Sequence, residues 1–136
     1  MIQIVGLDHV VLRVRDVERA LHFYCQVLGC KLEREVEELG LLQLRAGRSL
    51  IDLVDITRPL GRLGGAAPGG EGRNVDHFAL RIEGFDEERL RAYLAGFGIE
   101  ASEVADRYGA EGTGPSLYVR DPDGNVVELK GPSRSR

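Results

Sequence analysis

The sequence predicts an α+β fold of two tandem βαβββ modules. The main observation is a repeat, because the segment LDHVVLRV from Leu7 returns as VDHFALRI from Val75. Each copy is followed by one helix-like and three strand-like stretches, as expected for a duplicated structural unit. We therefore expect a single domain over residues 1–136, with modules at 4–55 and 75–131 and a linker at 56–74.

The first module has the predicted order strand, helix, strand, strand, strand. Leu7 to Arg15 alternates apolar and polar residues, which is typical of a strand. Asp16 is a suitable N-cap for the helix that follows, and Gly29 is a suitable stop. Three strands are then predicted, with the sequences CKLEREV, LLQLRA and SLIDLVD, separated by short turns at Glu37-Glu38 and Ala46-Gly47-Arg48.

The second module repeats that order. The predicted strand VDHFALRIEG leads to the helix FDEERLRAYLAGFG and then to the strands IEASEVA, PSLYVR and NVVELK. Aligning the two modules superposes His9 on His77 at one end and Asp52 on Glu128 at the other. Segment 56–74 is rich in Gly and Pro, and two interpretations stay open for it: a flexible linker, or a loop over a site.

Composition narrows the class of protein. The chain has 43% hydrophobic and 29% charged residues, as soluble globular proteins do, and its net charge is −4. The sequence has no long basic run, so we expect no nucleic-acid partner. No apolar run approaches the roughly 20 residues of a membrane helix, so we expect no membrane association and a cytoplasmic location. In that compartment Cys25 and Cys30 are expected to be free thiols.

Four polar residues occupy equivalent positions in the two modules. His9 and His77 lie on the first strands, whereas Asp52 and Glu128 lie between apolar neighbours on the last strands. A carboxylate on an inward face is costly unless it is paired, protonated or bound to a cation. Two imidazoles and two carboxylates suit one divalent metal ion such as Ni, Zn, Mn or Fe. In the competing interpretation the histidines are packed side chains and the carboxylates lie on a solvated face.

The segments DHVVLRVRDVERALHFYCQVLG, DHFALRI and YVRDPDGNVVELK resemble the vicinal oxygen chelate superfamily, which contains glyoxalases, extradiol dioxygenases and bleomycin-resistance proteins. The resemblance covers residues 4–131 and implies the glyoxalase/bleomycin resistance/dioxygenase fold, in which the two modules form a curved mixed β-sheet cup. It also implies that the metal ligands are His9, Asp52, His77 and Glu128, since ligands in this superfamily come from the first and last strands of the modules.

The pattern is similar to bacterial glyoxalase I in the FYCQVLG helix and in the DPDGNVVEL ending. In that enzyme an arginine four residues after the first ligand contacts substrate, which implies the same role for Arg13. Asp52 stands where a glutamate is usual, and Ile56 stands where an asparagine is expected. Tyr118, on the penultimate strand, is a further candidate for a hydrogen bond to substrate.

The resemblance implies a divalent-metal-dependent enzyme of the glyoxalase type. Such a lyase or isomerase acts through a metal-bound enediolate on a small oxygen-chelating substrate, with Glu128 or Asp52 as general base. The alternatives are an Fe(II) extradiol dioxygenase, an acyl-CoA epimerase, or a non-catalytic protein that binds a drug or metabolite. A homodimer is expected, since superfamily members of this length are usually dimeric.

Overall fold

The computed structural model describes residues 1–134 of the 136-residue chain. It divides into two compact units, Met1–Asn74 and Val75–Arg136. Each unit contains one four-stranded mixed sheet, with strand order β1-β4-β3-β2 in the first and β5-β8-β7-β6 in the second. The α+β fold class and the repeated βαβββ unit are therefore confirmed. Segment 56–74 belongs to the first unit.

The first unit contains four strands and short helical segments. In chain order these are β1 (His9–Val14), α1 (Val17–Leu21), a π-helical stretch (His22–Val27), β2 (Lys31–Val36), a 3₁₀ turn (Glu37–Leu39), β3 (Leu41–Ala46), β4 (Ser49–Asp55) and α2 (Pro59–Arg62). β1 runs parallel to β4, whereas β3 is antiparallel to both β4 and β2. The short helix α2 lies inside the segment that shows little periodicity in the sequence.

The second unit contains β5 (His77–Arg81), α3 (Glu87–Ala95), β6 (Ala105–Gly109), β7 (Gly112–Arg120) and β8 (Val126–Lys130). Its pairing repeats that of the first unit, with β5 parallel to β8 and the other pairs antiparallel. Within the part of the chain that the structure describes, no helix is both long and apolar enough to cross a membrane.

One predicted strand is wrong. The stretch IEASEVA, residues 99–105, is irregular up to Val104, and the strand instead runs from Ala105 to Gly109. Gly109 pairs with Gly112 across a two-residue connection, and Gly112 has a φ of +110°. Glycine adopts positive φ without the steric cost that other residues meet, so Gly112 is suited to close this hairpin.

Both main helices begin at the same kind of cap. The side chain of Asp16 accepts a hydrogen bond from the backbone N–H of Arg19 at 3.1 Å, and Asp86 accepts one from Arg89 at the same distance. Each cap satisfies a backbone donor that the first helical turn leaves unpaired. The predicted cap at Asp16 is confirmed, and the repeat extends to the helix start.

Each sheet buries one face in the apolar core. The alternate residues that form it are Leu12, Val14, Ile51 and Leu53 in the first unit, and Leu117, Val119, Val127 and Leu129 in the second. Burial of each such side chain contributes about 1.5–3 kcal/mol. Successive strand residues point to opposite faces, so His9, Asp52, His77 and Glu128 lie on the other face of their sheets. We call this the polar face of each unit.

Candidate metal centre

The parallel strand pairs place one histidine and one carboxylate together on each polar face. His9 pairs with Leu50 on β4, and Asp52 lies two residues further along the same strand. His77 pairs with Val126 on β8, and Glu128 again lies two residues further along. Residues two apart on a strand share a face, so each histidine has its carboxylate as a diagonal neighbour.

A buried turn sets the start of β8 and therefore the position of Glu128. The carboxylate of Asp121 accepts hydrogen bonds from the backbone N–H and the side-chain amide of Asn125, both at 2.8 Å. Gly124 lies between them with a φ of +83°. The DPDGN sequence thus forms a hydrogen-bonded turn that fixes where the last strand begins.

In the second unit the imidazole of His77 lies directly beside the carboxylate of Glu128. His77 Nε2 is 3.3 Å from Glu128 Oε1, and the Glu128 side chain is only 8% exposed. The other ring nitrogen, Nδ1, is 2.7 Å from Oδ2 of Asp76. An ionised carboxylate only accepts hydrogen bonds, so Nδ1 beside Asp76 is placed to donate one, and Nε2 then faces Glu128 with either a second proton or a lone pair. A proton or a metal cation between the two acceptors would stabilise this arrangement.

The first unit repeats the contact between histidine and aspartate. His9 Nδ1 is 2.8 Å from Oδ2 of Asp8. This hydrogen bond, together with the negative charge of Asp52, raises the pKa of His9 above its ordinary value. The Asp52 charge therefore acts on the imidazole, as expected for two members of one site.

Asp52 has one oxygen held and one left without a partner. Its residue is 4% exposed, and Oδ2 accepts a hydrogen bond from the side-chain amide of Gln43 at 3.1 Å. Oδ1 is buried and has no hydrogen bond to any of residues 1–134. An unsatisfied buried acceptor costs about 1–3 kcal/mol, which a bound cation would offset. This oxygen fits a metal ligand.

Tyr118 lies beside the pair in the second unit. It is the cross-strand partner of Glu128, and its ring packs edge-to-face against His77 with 5.5 Å between centroids. The Arg107 guanidinium lies 4.5 Å from the centre of the Tyr118 ring. Gln43 holds the equivalent position in the first unit, as the cross-strand partner of Asp52. The structure thus brings the predicted substrate-binding tyrosine to the polar face near two of the predicted ligands.

Arg13 is engaged by the Gly/Pro-rich segment. Its guanidinium donates hydrogen bonds to the backbone carbonyls of Gly61, Gly65 and Ala66 at 3.0, 2.5 and 3.0 Å. The side chain of Asn74 accepts from the backbone N–H of Arg13 and donates to its carbonyl. Segment 56–74 is therefore tied to β1 in its middle, at residues 61–66, and at its end, at Asn74. The contact of Arg13 with substrate stays a prediction.

Sequence reasoning assigned no role to Asp8, Asp76 or Gln43, and it considered Arg107 as a substrate contact without choosing it as a site residue. The signal for the two aspartates was the Asp-His dipeptide, which appears at the same place in both copies of the repeat. Gln43 is the cross-strand partner of Asp52, and this register is known only from the structure.

The structure brings the four predicted ligands together as two pairs, one in each unit. Across residues 1–134, no group of three or more His, Cys, Asp and Glu side chains is placed to hold a metal ion.

Cys25 and Cys30 are free thiols. Burial raises the pKa of Cys30 to about 11 and also raises the pKa of Cys25, so neither thiol is activated as a thiolate.

Comparison with known proteins agrees with this architecture. Residues 6–129 match the model of the Glyoxalase/Bleomycin resistance protein/Dioxygenase superfamily, and the chain belongs to that superfamily. The match includes β1 and β8, the strands that carry the first and last of the predicted ligands.

Two related proteins, which differ in name and in length, align with most of this chain. The chain is 28% identical over 123 residues to catechol-2,3-dioxygenase of Bacillus subtilis (strain 168), covering 90% of this chain and 40% of that protein. It is 28% identical over 129 residues to virulence protein STM3117 of Salmonella typhimurium, covering 90% of this chain and 81% of that protein. The chain thus spans less than half the length of the first relative and most of the second.

Solved structures share the fold. The crystal structure of the Salmonella typhimurium virulence protein aligns with a TM-score of 0.73 and 25% identity over 96% of this chain and 99% of that chain. Lactoylglutathione lyase from Agrobacterium tumefaciens aligns with a TM-score of 0.63 and 21% identity over 93% of both chains, a likeness of fold alone.

Proposed function

We propose that this protein is a divalent-metal-dependent enzyme of the glyoxalase type, a lyase or isomerase in which His9, Asp52, His77 and Glu128 hold one metal ion. The observation that supports this most is the unpartnered, buried Oδ1 of Asp52, on the same polar face as an imidazole whose Nδ1 is already paired. The similarity of the FYCQVLG helix and the DPDGNVVEL ending to bacterial glyoxalase I favours the same class. Ni, Zn, Mn and Fe all suit this donor set.

The bound metal would act as a Lewis acid toward two neighbouring oxygens of a small substrate. Glu128 is our candidate for the general base. Within residues 1–134 the one charged or hydrogen-bonding side chain paired with its carboxylate is His77, whereas Asp52 is held by Gln43. Glu128 can therefore remove a proton from the carbon next to the substrate carbonyl and return it to the adjacent carbon. Asp52 is the second candidate, and its anchored geometry suits a fixed ligand.

Tyr118 is our candidate for orienting the substrate. Its ring is positioned from two sides by His77 and Arg107, and its hydroxyl makes no hydrogen bond to the described part of the chain. A positioned phenol beside the proposed base can donate a hydrogen bond to a substrate oxygen. Arg13 remains a proposed substrate contact, and its bonds to three carbonyls give it a second way to act, through the loop at 56–74.

The proposal predicts metal-dependent isomerisation of a hemithioacetal, lost on substitution of the base. Glu128→Gln should lower kcat by about 10²–10⁴ at saturating metal, because the amide cannot accept the substrate proton. The assay compares protein loaded separately with Ni, Zn, Mn and Fe. The matched control is Glu111→Gln, an exposed carboxylate of the same unit paired with Arg81, which should leave kcat unchanged. Folded, metal-loaded protein that turns over nothing with any of the four metals would contradict the glyoxalase assignment.

An Fe(II) extradiol dioxygenase is the second candidate, favoured by the 28% identity to catechol-2,3-dioxygenase over 90% of this chain. In that case His9, His77 and Glu128 would form the three-ligand set, and Asp52 would be left aside. Oxygen uptake with catechol by the Fe(II)-loaded protein, without hemithioacetal isomerisation, would favour the dioxygenase.

A third candidate is a binding protein without metal chemistry. A metal content that His9→Ala leaves unchanged would favour it.

A further inference from the structure

The same contact between an aspartate and a histidine occurs in both units. Asp8 Oδ2 lies 2.8 Å from Nδ1 of His9, and Asp76 Oδ2 lies 2.7 Å from Nδ1 of His77. The same atoms are involved each time, and each aspartate immediately precedes its histidine. The third histidine, His22, follows a leucine and lies in the π-helical stretch.

The position of the dipeptide at the strand start explains how neighbouring residues can touch. Adjacent residues inside a strand point to opposite faces and cannot pair side by side. His9 is the first residue of β1 and His77 is the first of β5, so each aspartate precedes the pleated strand. The aspartate side chain is therefore not forced to the face opposite the histidine, and it lies beside the imidazole ring.

We infer that Asp8 and Asp76 are positioning residues that fix the tautomer and orientation of the two imidazoles, with Nδ1 protonated and Nε2 open for a metal ion. The metal-binding part of this inference rests on the proposed function. A carboxylate that accepts from one ring nitrogen of a ligating histidine orients the ring and strengthens the other nitrogen as a donor. Each aspartate lies against Nδ1, on the side of the ring away from Nε2, so it supports the ligand and is not one itself.

Both aspartates are largely exposed, at 90% and 83% of their side-chain surface. An exposed pair of this kind contributes little to folding stability. Replacing either residue should therefore leave the protein folded, so that a loss of metal affinity reports on the site. Their conservative replacements retain a carbonyl oxygen that can accept from Nδ1–H.

The experiment compares wild type with Asp8→Ala, Asp76→Ala, Asp8→Asn and Asp76→Asn in two measurements. The first is ¹⁵N-edited NMR of the imidazoles in metal-free protein, at a pH where the rings are neutral. We expect His9 and His77 to carry the proton on Nδ1 in wild type and to shift toward the Nε2-protonated form in the alanine variants. The asparagine variants should retain the wild-type tautomer, and His22 is the internal reference.

The second measurement is Zn²⁺ or Ni²⁺ affinity by competition with a chelator. Each alanine substitution should weaken binding by about 10–100-fold, and each asparagine substitution by less. Asp106→Ala, at an exposed aspartate paired with Arg134, is the control and should leave affinity unchanged.

Wild-type protein that binds metal while both alanine variants keep its tautomers and its affinity would overturn the inference. Wild-type protein that binds no metal would instead refute the proposed function. The NMR measurement would then decide by itself whether the aspartates set the tautomer, with unchanged tautomers in the alanine variants counting against it.

Discussion

At the scale of single residues, the repeated Asp-His dipeptide combines two chemical roles in two adjacent positions. The histidine lies on the polar face beside a carboxylate of the neighbouring parallel strand. The aspartate before it lies within hydrogen-bond distance of Nδ1, and in our inference this leaves Nε2 as an acceptor. In our account both residue types recur in both copies because the histidine supplies the metal donor and the aspartate orients the histidine.

Asp52 gives the first residue-scale prediction. In metal-free protein its carboxylate is buried with Gln43 as its one hydrogen-bond donor among residues 1–134, so Asp52→Asn, which removes the buried charge and keeps an acceptor for Gln43, should raise the free energy of unfolding by about 1–3 kcal/mol. The same substitution should remove the stabilisation that added metal gives the wild type. Urea unfolding with and without Zn²⁺ measures both effects.

Gln43→Ala is the matched comparison, with the opposite expected sign. It removes the hydrogen bond to Asp52 Oδ2 and should destabilise the metal-free protein, since the second carboxylate oxygen then also lacks its donor. If Asp52→Asn destabilises the metal-free protein and still allows metal to stabilise it, Asp52 is not a ligand.

At the scale of elements, the parallel pairs β1–β4 and β5–β8 create the two halves of the candidate site. The sequence predicted these strands because apolar and polar residues alternate in them and because each pattern occurs twice. The pairing that puts Asp52 two residues beyond the partner of His9 is a property of register, which a single sequence does not reveal. The four predicted ligands were therefore found from symmetry, and their diagonal arrangement only from the structure.

Elements without a matching pattern were predicted less well. The strand Ala105–Gly109 was misplaced because the glycines at its hairpin, Gly109 and Gly112, give no sequence signal that distinguishes a tight turn from an irregular segment. The helix after β1 was expected from its spacing and cap, but its π-helical second half, His22–Val27, has no sequence signal that we could identify. The single turn of α2 is too short for periodicity to indicate it.

The loop at 56–74 gives the element-scale prediction. Arg13→Ala removes the donor to three of its carbonyls and should increase trypsin cleavage after Arg62 and Arg73 by at least about tenfold, because local opening becomes more favourable. Limited proteolysis followed by mass spectrometry measures the rates.

Arg81→Ala is the control for this experiment. Arg81 is the equivalent residue of the second module, and it pairs with exposed Glu111. Its removal should leave the cleavage pattern of the loop unchanged. Equal cleavage rates in the two variants would show that Arg13 does not hold the loop, and would strengthen its alternative role as a direct substrate contact.

At the scale of the whole molecule, duplication explains why one chain of 136 residues carries two equivalent pairs of donors. Protein sites for zinc and related ions usually take three or four protein ligands, so one pair is too few. The proposed site therefore needs both units, from one chain or from two. The homodimer and the cytoplasmic location stay predictions, and sedimentation or light scattering of the purified protein tests the former.

The central claim is that His9, Asp52, His77 and Glu128 bind a single divalent ion together. Calorimetric titration of metal-free protein with Ni²⁺ or Zn²⁺ tests it most directly, comparing wild type with His9→Ala, Asp52→Asn, His77→Ala and Glu128→Gln. Our account predicts one ion per chain in wild type and a large loss of affinity in every one of the four variants. Two ions per chain, each sensitive only to substitutions in its own unit, or an affinity that none of the four substitutions changes, would contradict it.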